Sequence, residues 1–93
     1  MIVGLMTVEL HIGGATTLKE KRRVLKSIID RVRSRYNVSI AEVDHQDLWQ
    51  RATLGVAVVS NETGHVSQML DTVIRTIEGN GGADLVSYHT EIL

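Results

Sequence analysis

The chain has 93 residues and no cysteine, so disulfide bonds, thiolate metal sites and cysteine nucleophiles are excluded. Apolar residues make up 43% of the sequence, which is enough for one small domain over residues 1–93. No stretch approaches the roughly 20 apolar residues that a membrane span needs. The first residues alternate in polarity and do not resemble a signal peptide, so a cytoplasmic location is expected.

Charge is distributed unevenly along the sequence. The net charge is only −1, but residues 17–36 contain eight lysines and arginines and two acids, which gives this segment +6 and the remainder −7. One element is therefore strongly basic while the rest of the chain is acidic.

The first third of the chain predicts a strand followed by a helix. Residues 2–12 alternate between two faces, as in a half-buried strand. Thr17 and Glu20 have the spacing of a capping box, and a helix over 18–36 should end near Asn37. Its apolar stripe comprises Leu18, Leu25, Ile28, Ile29, Val32 and Tyr36.

The middle of the chain predicts two strands joined by a long hairpin loop. Residues 38–45 are apolar at Ile40 and Val43, and this change of phase indicates a bulge. Residues 52–60 alternate regularly and form the third strand.

The last third predicts a second helix and a fourth strand. The helix covers 63–79, with Asn61 or Thr63 as its cap and a run of glycines as its end. The strand covers 83–93. One of its faces is expected to carry Val86, Tyr88, Thr90 and Ile92.

The order β-α-β-β-α-β predicts an α+β fold of the ferredoxin-like type. Two right-handed crossovers joined by a hairpin give an antiparallel sheet of order 4-1-3-2 with both helices on one face. The core is expected to include Leu25, Ile29, Val32, Val56, Val58, Val66, Leu70 and Val73.

Four segments carry a more specific pattern. They read LKEKRR at 18–23, NVSIAEVD at 37–44, HQDLWQRA at 45–52 and LGVAVVSN at 54–61. In these segments the chain resembles the YlxP-like family of small bacterial proteins of unknown function. The resemblance implies a ferredoxin-like fold. In several genomes the family's gene lies among those for translation initiation and ribosome maturation, near ribosome-binding factor A, which implies work near RNA or the ribosome.

Five cations fall on one side of the predicted first helix, beside its apolar stripe. They are Lys19, Arg22, Arg23, Lys26 and Arg33. Asp30 lies among them and is expected to pair with Lys26. The cations form either a solvated helix face or a row that contacts phosphates. We take the second reading as the functional hypothesis, in which the domain is a non-catalytic RNA- or ribosome-associated module without a cofactor.

The sheet face opposite the helices supports an alternative. Its centre is apolar at Leu5, Ala57 and Val59, and the only tryptophan, Trp49, lies in the hairpin loop. These residues predict a homodimer contact or a small-ligand sensor. No aromatic residue lies on this face of the central strands, so base stacking of the kind that RNA-recognition sheets use is not expected.

Catalysis and metal binding have weaker support. Glu9 and His11 share a strand face, but the sequence does not place residues 44–47 beside them, so a Glu9–Arg51 ion pair is expected in preference to a metal site. Acylphosphatases resemble this chain in element order only, because the loop at 13–17 has no arginine. No enzymatic activity is predicted.

Overall fold

The chain alternates strands and helices in the predicted order. The computed structural model describes all residues, 1–93. The elements are β1 Ile2–His11, α1 Leu18–Arg35, β2 Ser39–Asp44, β3 Arg51–Ser60, α2 Thr63–Glu78 and β4 Asp84–Ile92. Neither helix has the length and apolar character that crossing a membrane requires.

The four strands form one antiparallel sheet of order β2-β3-β1-β4, which is the predicted order read from the other side. The two helices cover one face of the sheet, α1 over β2 and α2 over β1, β3 and β4. The ferredoxin-like fold is therefore confirmed. Its central strands β1 and β3 are flanked by β2 at one edge and β4 at the other.

The core lies between the helices and the sheet. From β1 it takes Met6, Val8 and Leu10, as the alternation of this strand predicts. Seven of the eight expected core residues are buried, but Ile29 is only half-buried and packs against the rim of the core. The prediction for Ile29 was wrong because this residue lies at the edge of the apolar stripe, next to the solvent-exposed side of α1.

Gly4 allows α2 to approach the sheet closely. A Cβ atom at this position would overlap the side chain of Val66 and would lie 3.1 Å from atoms of both Leu70 and Val58. The absence of a side chain at Gly4 is thus required by packing, because the strand here faces the buried side of α2.

The helix caps agree with the sequence in part. Thr17 caps α1, and its hydroxyl accepts a hydrogen bond from the backbone N–H of Glu20 at 3.1 Å. The cap predicted for α2 was wrong, since Glu62 occupies this position and makes no side-chain cap. The helix begins at Thr63, which places Asn61 outside the cap and Thr63 inside the first turn.

Both edge strands contain a bulge. In β2 the register shifts between Glu42 and Asp44, as predicted from the phase change at Val43. In β4 the partners of β1 shift so that Leu85 pairs with Leu10 and Ser87 pairs with Glu9. The expected face assignment was therefore wrong at the start of β4. The extra residue, Val86, leaves the alternation, and Leu85 takes its place on the helical face.

Candidate nucleic-acid interface

Three of the five predicted cations line one groove. Arg22, Lys26 and Arg33 line it from α1 together with Ile29 and Asp30, and Glu42 lines it from β2. The groove exists because the apolar stripe of α1 is buried against the sheet, which leaves the adjoining helix positions beside the edge strand.

Lys26 forms the predicted ion pair inside this groove. Its ammonium nitrogen lies 2.6 Å from a carboxylate oxygen of Asp30, one helical turn later. Both side chains are more than half exposed, so the pair contributes little to stability, about 0.3–0.5 kcal/mol for such a helical pair. Asp30 does, however, offset one positive charge where a phosphate would bind.

Arg33 is held in position by the neighbouring strand. Its Nη2 atom donates a hydrogen bond to the backbone carbonyl of Ile40 at 2.9 Å. The bond leaves the remaining guanidinium donors of Arg33 available in the groove. Arg33 therefore connects α1 to β2 and presents a positive charge at the same time.

The other two predicted cations lie farther round the helix. Lys19 and Arg23 are both exposed, and Arg23 borders a second hollow together with Val24 and Gly82. The structure thus gathers three cations into one groove and places Arg23 on a neighbouring surface.

The start of α1 carries one perturbed carboxylate. Thr16 donates to Glu20 through its backbone N–H at 2.8 Å and through its hydroxyl at 3.0 Å. These two hydrogen bonds, with a smaller effect of the nearby Arg23 charge, lower the pKa of Glu20. In a capping box, the Glu20 carboxylate would accept a hydrogen bond from the backbone N–H of the cap residue, Thr17. Here it accepts hydrogen bonds from Thr16 instead.

Lys21 is the residue that the sequence analysis missed. It is 1% exposed, and its ammonium group donates to the carbonyls of His45 at 2.7 Å and Leu48 at 2.6 Å. A carboxylate oxygen of Glu42 lies 2.8 Å away. This buried charge joins α1 to the β2–β3 loop. The available signal was its position, because Lys21 falls inside the apolar stripe between Leu18 and Leu25.

A second polar chain lies on the opposite sheet face. The Thr53 hydroxyl donates to Glu9 at 2.8 Å, and the ring Nδ1 of His45 lies 2.8 Å from the same hydroxyl oxygen. Because the hydroxyl has one proton and gives it to Glu9, His45 must supply the Nδ1–H. His45 has a left-handed backbone, with φ of 60°, which turns its ring over Thr53.

Two expectations about this region were wrong. Glu9 forms no ion pair with Arg51, because the register places Thr53 opposite Glu9 and places Arg51 opposite His11. The loop after β2 does approach Glu9, with His45 Nδ1 at 4.0 Å from its carboxylate. Even so, no three His, Asp or Glu side chains converge as metal ligands would.

The residues of the alternative interface lie at two ends of the sheet. Leu5 pairs directly with Ala57, and Val59 follows two residues later on the same face. Trp49 is 53% exposed and stands beside Arg51, at the far end of β3. The structure therefore groups Leu5, Ala57 and Val59 and leaves Trp49 in the loop before β3, whose first residue lies about 20 Å from Ala57 at 3.3 Å per residue.

Comparison with known proteins decides the family. Residues 3–90 match the family described as Protein of unknown function (DUF503). The chain belongs to this family. A relative in it, the Uncharacterized protein YlxP of Bacillus subtilis (strain 168), is 42% identical over 77 residues, which cover 83% of this chain and 84% of the relative. This family assignment agrees with the resemblance seen in the sequence.

Solved structures support the fold alone. The de novo designed protein Foldit4 superposes with a TM-score of 0.58 at 11% identity, over 100% of this chain and 97% of that one. The designed protein LFR1 1, described as having a ferredoxin fold, gives a TM-score of 0.56 at 15% identity, over 99% of this chain and 85% of that one. This member of the DUF503 family thus shares its architecture with idealised ferredoxin-like designs.

Proposed function

We propose that this protein is a non-catalytic, RNA- or ribosome-associated module of the bacterial cytoplasm that binds phosphates through α1. The observation that carries the proposal is the groove lined by Arg22, Lys26 and Arg33, three cations against the two carboxylates of Asp30 and Glu42. A segment of +6 in a chain whose other residues sum to −7 is more charge segregation than solubility requires.

The local contacts of these cations indicate which of them is most available to bind a phosphate. Arg22 and Lys19 are exposed, while Lys26 shares its charge with Asp30 and Arg33 gives one donor to Ile40. Arg22 is therefore the central contact, and Lys26 and Arg33 support it.

Binding of this kind depends on released counterions. Three to five phosphate contacts give a slope of log affinity against log salt of roughly −3 to −4.5 on a duplex, at the value of about −0.9 per phosphate that holds for B-form DNA. Little base preference is expected, because phosphate contacts carry no sequence information. The open face of β1 and β3 also lacks aromatic side chains, so the sheet adds no stacking.

The test is fluorescence anisotropy with a labelled, structured ribosomal RNA fragment at several salt concentrations. The double variant Arg22→Glu/Lys26→Glu reverses two charges in the groove. The matched control, Arg31→Glu/Arg35→Glu, makes the same change of net charge on exposed positions of α1 outside the groove. Circular dichroism should show that all three proteins are folded.

We expect the groove variant to lose binding, at least tenfold, and the control to keep most of it. Equal losses in both variants would show that net charge alone attracts RNA and that the groove is not the site. An absence of wild-type binding at low salt would overturn the proposal.

A second candidate function is small-ligand sensing on the open sheet face. The observation that favours it is a shallow apolar trough around Gly55, bordered by Leu5, Val43 and Ala57. Because Gly55 has no side chain, this trough is open between β1 and β2. A small apolar ligand fits its lining.

The apolar dye anilinonaphthalene sulfonate tests this candidate. Dye fluorescence should rise with the folded protein and return to baseline with Ala57→Arg, whose side chain would enter the trough. Thr63→Arg, at an exposed position far from the trough, is the control. Equal dye binding by both variants would exclude the trough.

A further inference from the structure

The two edge strands of the sheet, β2 and β4, differ in how much of each strand is buried. At one edge, α1 lies over β2, and Arg33 donates to the backbone of this strand at Ile40. At the other edge, α2 contacts β4, but no residue of β4 is fully buried and eight of its nine residues are exposed. Natural proteins protect long edge strands with charges, bulges or covering elements, because unpaired backbone groups recruit other chains.

The backbone groups that β4 presents outward can be assigned. Leu93 and Val3 exchange both of their backbone hydrogen bonds, at 2.8 and 3.3 Å. Pairs alternate along an antiparallel ladder, so Glu91 and His89 also bond toward β1. The N–H and C=O groups of the alternate residues therefore point away from the sheet. These are Tyr88, Thr90 and Ile92.

The same stretch exposes apolar side chains on the helical face. Tyr88 lies opposite Val8, and Ile92 lies opposite Gly4, yet these two side chains are 50% and 43% exposed. Although α2 contacts β4, it does not cover these two positions, and their side chains remain partly in water. An edge that is unpaired and partly apolar is suited to a further strand.

We infer that β4 pairs with β4 of a second copy of this chain, antiparallel, with Thr90 on the two-fold axis. The bulge at Val86 limits the regular edge to the residues from Ser87 onward. Outward-pointing residues must face one another, so the two-fold axis passes through residue 89 or residue 90 if the pairing is centred on this regular edge.

The side chains that face one another select between these two registers. With the axis at Thr90, His89 of each copy faces Glu91 of the other, while Tyr88 faces Ile92 on the helical side. With the axis at His89, the two histidines would face each other. Within one chain, His89 Nε2 and a Glu91 carboxylate oxygen are already 3.5 Å apart, so the two copies together form a cluster in which two imidazoles alternate with two carboxylates. A carboxylate accepts a hydrogen bond from an imidazole N–H across the strand pair, whereas two facing imidazoles have no carboxylate acceptor between them.

The resulting dimer has one continuous eight-stranded sheet. The axis is perpendicular to the sheet, so all four helices lie on the same side and the two β2 edges lie at the ends. This surface is distinct from the helix groove and from the open-face residues Leu5, Ala57 and Val59.

Cysteine cross-linking tests the register, because the natural chain has no cysteine. His89→Cys and Glu91→Cys are prepared separately and then mixed under mild oxidation. In the inferred register, the thiol introduced by His89→Cys in one chain lies directly opposite the thiol introduced by Glu91→Cys in the other. The second pair across the interface keeps its natural His89 and Glu91 side chains. The mixture should give a covalent dimer, and each variant alone should give much less.

A proline substitution tests the edge itself. Thr90→Pro removes an outward N–H but no bond to β1, so the domain should stay folded while it dissociates. Thr90→Val retains the N–H and is the control. Sedimentation equilibrium should give about twice 10.3 kDa for wild type and Thr90→Val, and 10.3 kDa for Thr90→Pro.

Each other outcome overturns the inference. A monomeric wild type at high concentration would exclude it. Cross-linking by His89→Cys alone would indicate the register centred on residue 89. A dimer that survives Thr90→Pro but is dissociated by Val59→Glu would assign self-association to the open face.

Discussion

The ammonium group of Lys21 lies 2.8 Å from a carboxylate oxygen of Glu42, which joins the first turn of α1 to the edge strand β2. Two backbone carbonyls, those of His45 and Leu48, complete the shell around the same nitrogen. The two carbonyls accept hydrogen bonds from the lysine, and the Glu42 oxygen balances its buried charge as an ion pair, without a hydrogen bond of its own. The β2–β3 loop that carries Trp49 is consequently tied to the helix.

Lys21→Met should therefore destabilise the domain strongly. The substitution keeps most of the volume but leaves Glu42 and two carbonyls without their partner, and removing one member of a buried pair costs about 3–5 kcal/mol. Since Glu42 is partly exposed, we expect a value near the lower end of this range from urea unfolding, about 3 kcal/mol. Trp49 fluorescence of the folded protein should also change, because the loop loses its anchor.

Lys19→Met is the control for this prediction, because Lys19 lies on the same helix and is exposed. Its effect should stay within about 0.5 kcal/mol. Similar losses for the two variants would show that the charge of the helix, and not the buried contact, matters.

The sequence predicts the regular parts of this fold well because the two periodicities are clear. The alternation of β1 and the helical stripe of α1 fix which side chains are buried, and thereby the order of elements. Lys21 was missed since a charged residue is expected at the surface, although its place in the stripe marks it as an exception. The His45–Thr53–Glu9 chain depends on strand register and on a left-handed backbone at one residue, which no local pattern reveals.

The candidate site was predictable to a similar degree. The side of α1 that carries the cations follows from helical spacing, and so does the Lys26–Asp30 pair. The groove itself required the position of β2, and the bond from Arg33 to Ile40 required the tertiary structure. The position of Arg23 outside this groove likewise required the tertiary structure, because β2 lies beside one flank of α1 and Gly82 lies beside the other.

Gly4→Ala should destabilise the domain through overlap with α2. The new methyl group meets Val66 and must push the helix or the strand, and overpacking of this kind costs about 1–3 kcal/mol. The loss should be smaller when Val66 is shortened in the same protein. Thermal or urea unfolding of Gly4→Ala, Val66→Ala and the double variant measures this coupling, and strictly additive effects would contradict the close contact.

Protonation of Glu20 should account for part of the stability that the domain loses at acidic pH. Its pKa is lowered in the folded protein by the hydrogen bonds from Thr16, so the folded state favours the ionised form more than the unfolded chain does. The contribution is complete above the ordinary pKa of a glutamate and is lost as the pH falls through the folded value. Urea unfolding at pH 7 and at pH 3 should show a smaller difference between the two pH values for Glu20→Gln than for wild type. An unchanged difference would show that Glu20 has no part in the acid sensitivity.

Asp30→Asn should strengthen RNA binding if the groove of α1 is the phosphate site. The carboxylate of Asp30 lies 2.6 Å from the ammonium of Lys26, where it offsets this charge and repels an incoming phosphate. Asparagine keeps the shape of the side chain and removes the negative charge, and the exposed ion pair contributes too little to stability for its loss to unfold the helix. We expect a severalfold gain in affinity in the anisotropy assay and a steeper dependence on salt, because one more cation can release counterions.

Asp71→Asn on α2 makes the same change of charge on an exposed position of the other helix and should have little effect. An equal gain for both variants would mean that the net charge of the protein governs binding, and no gain for Asp30→Asn would place the phosphate elsewhere.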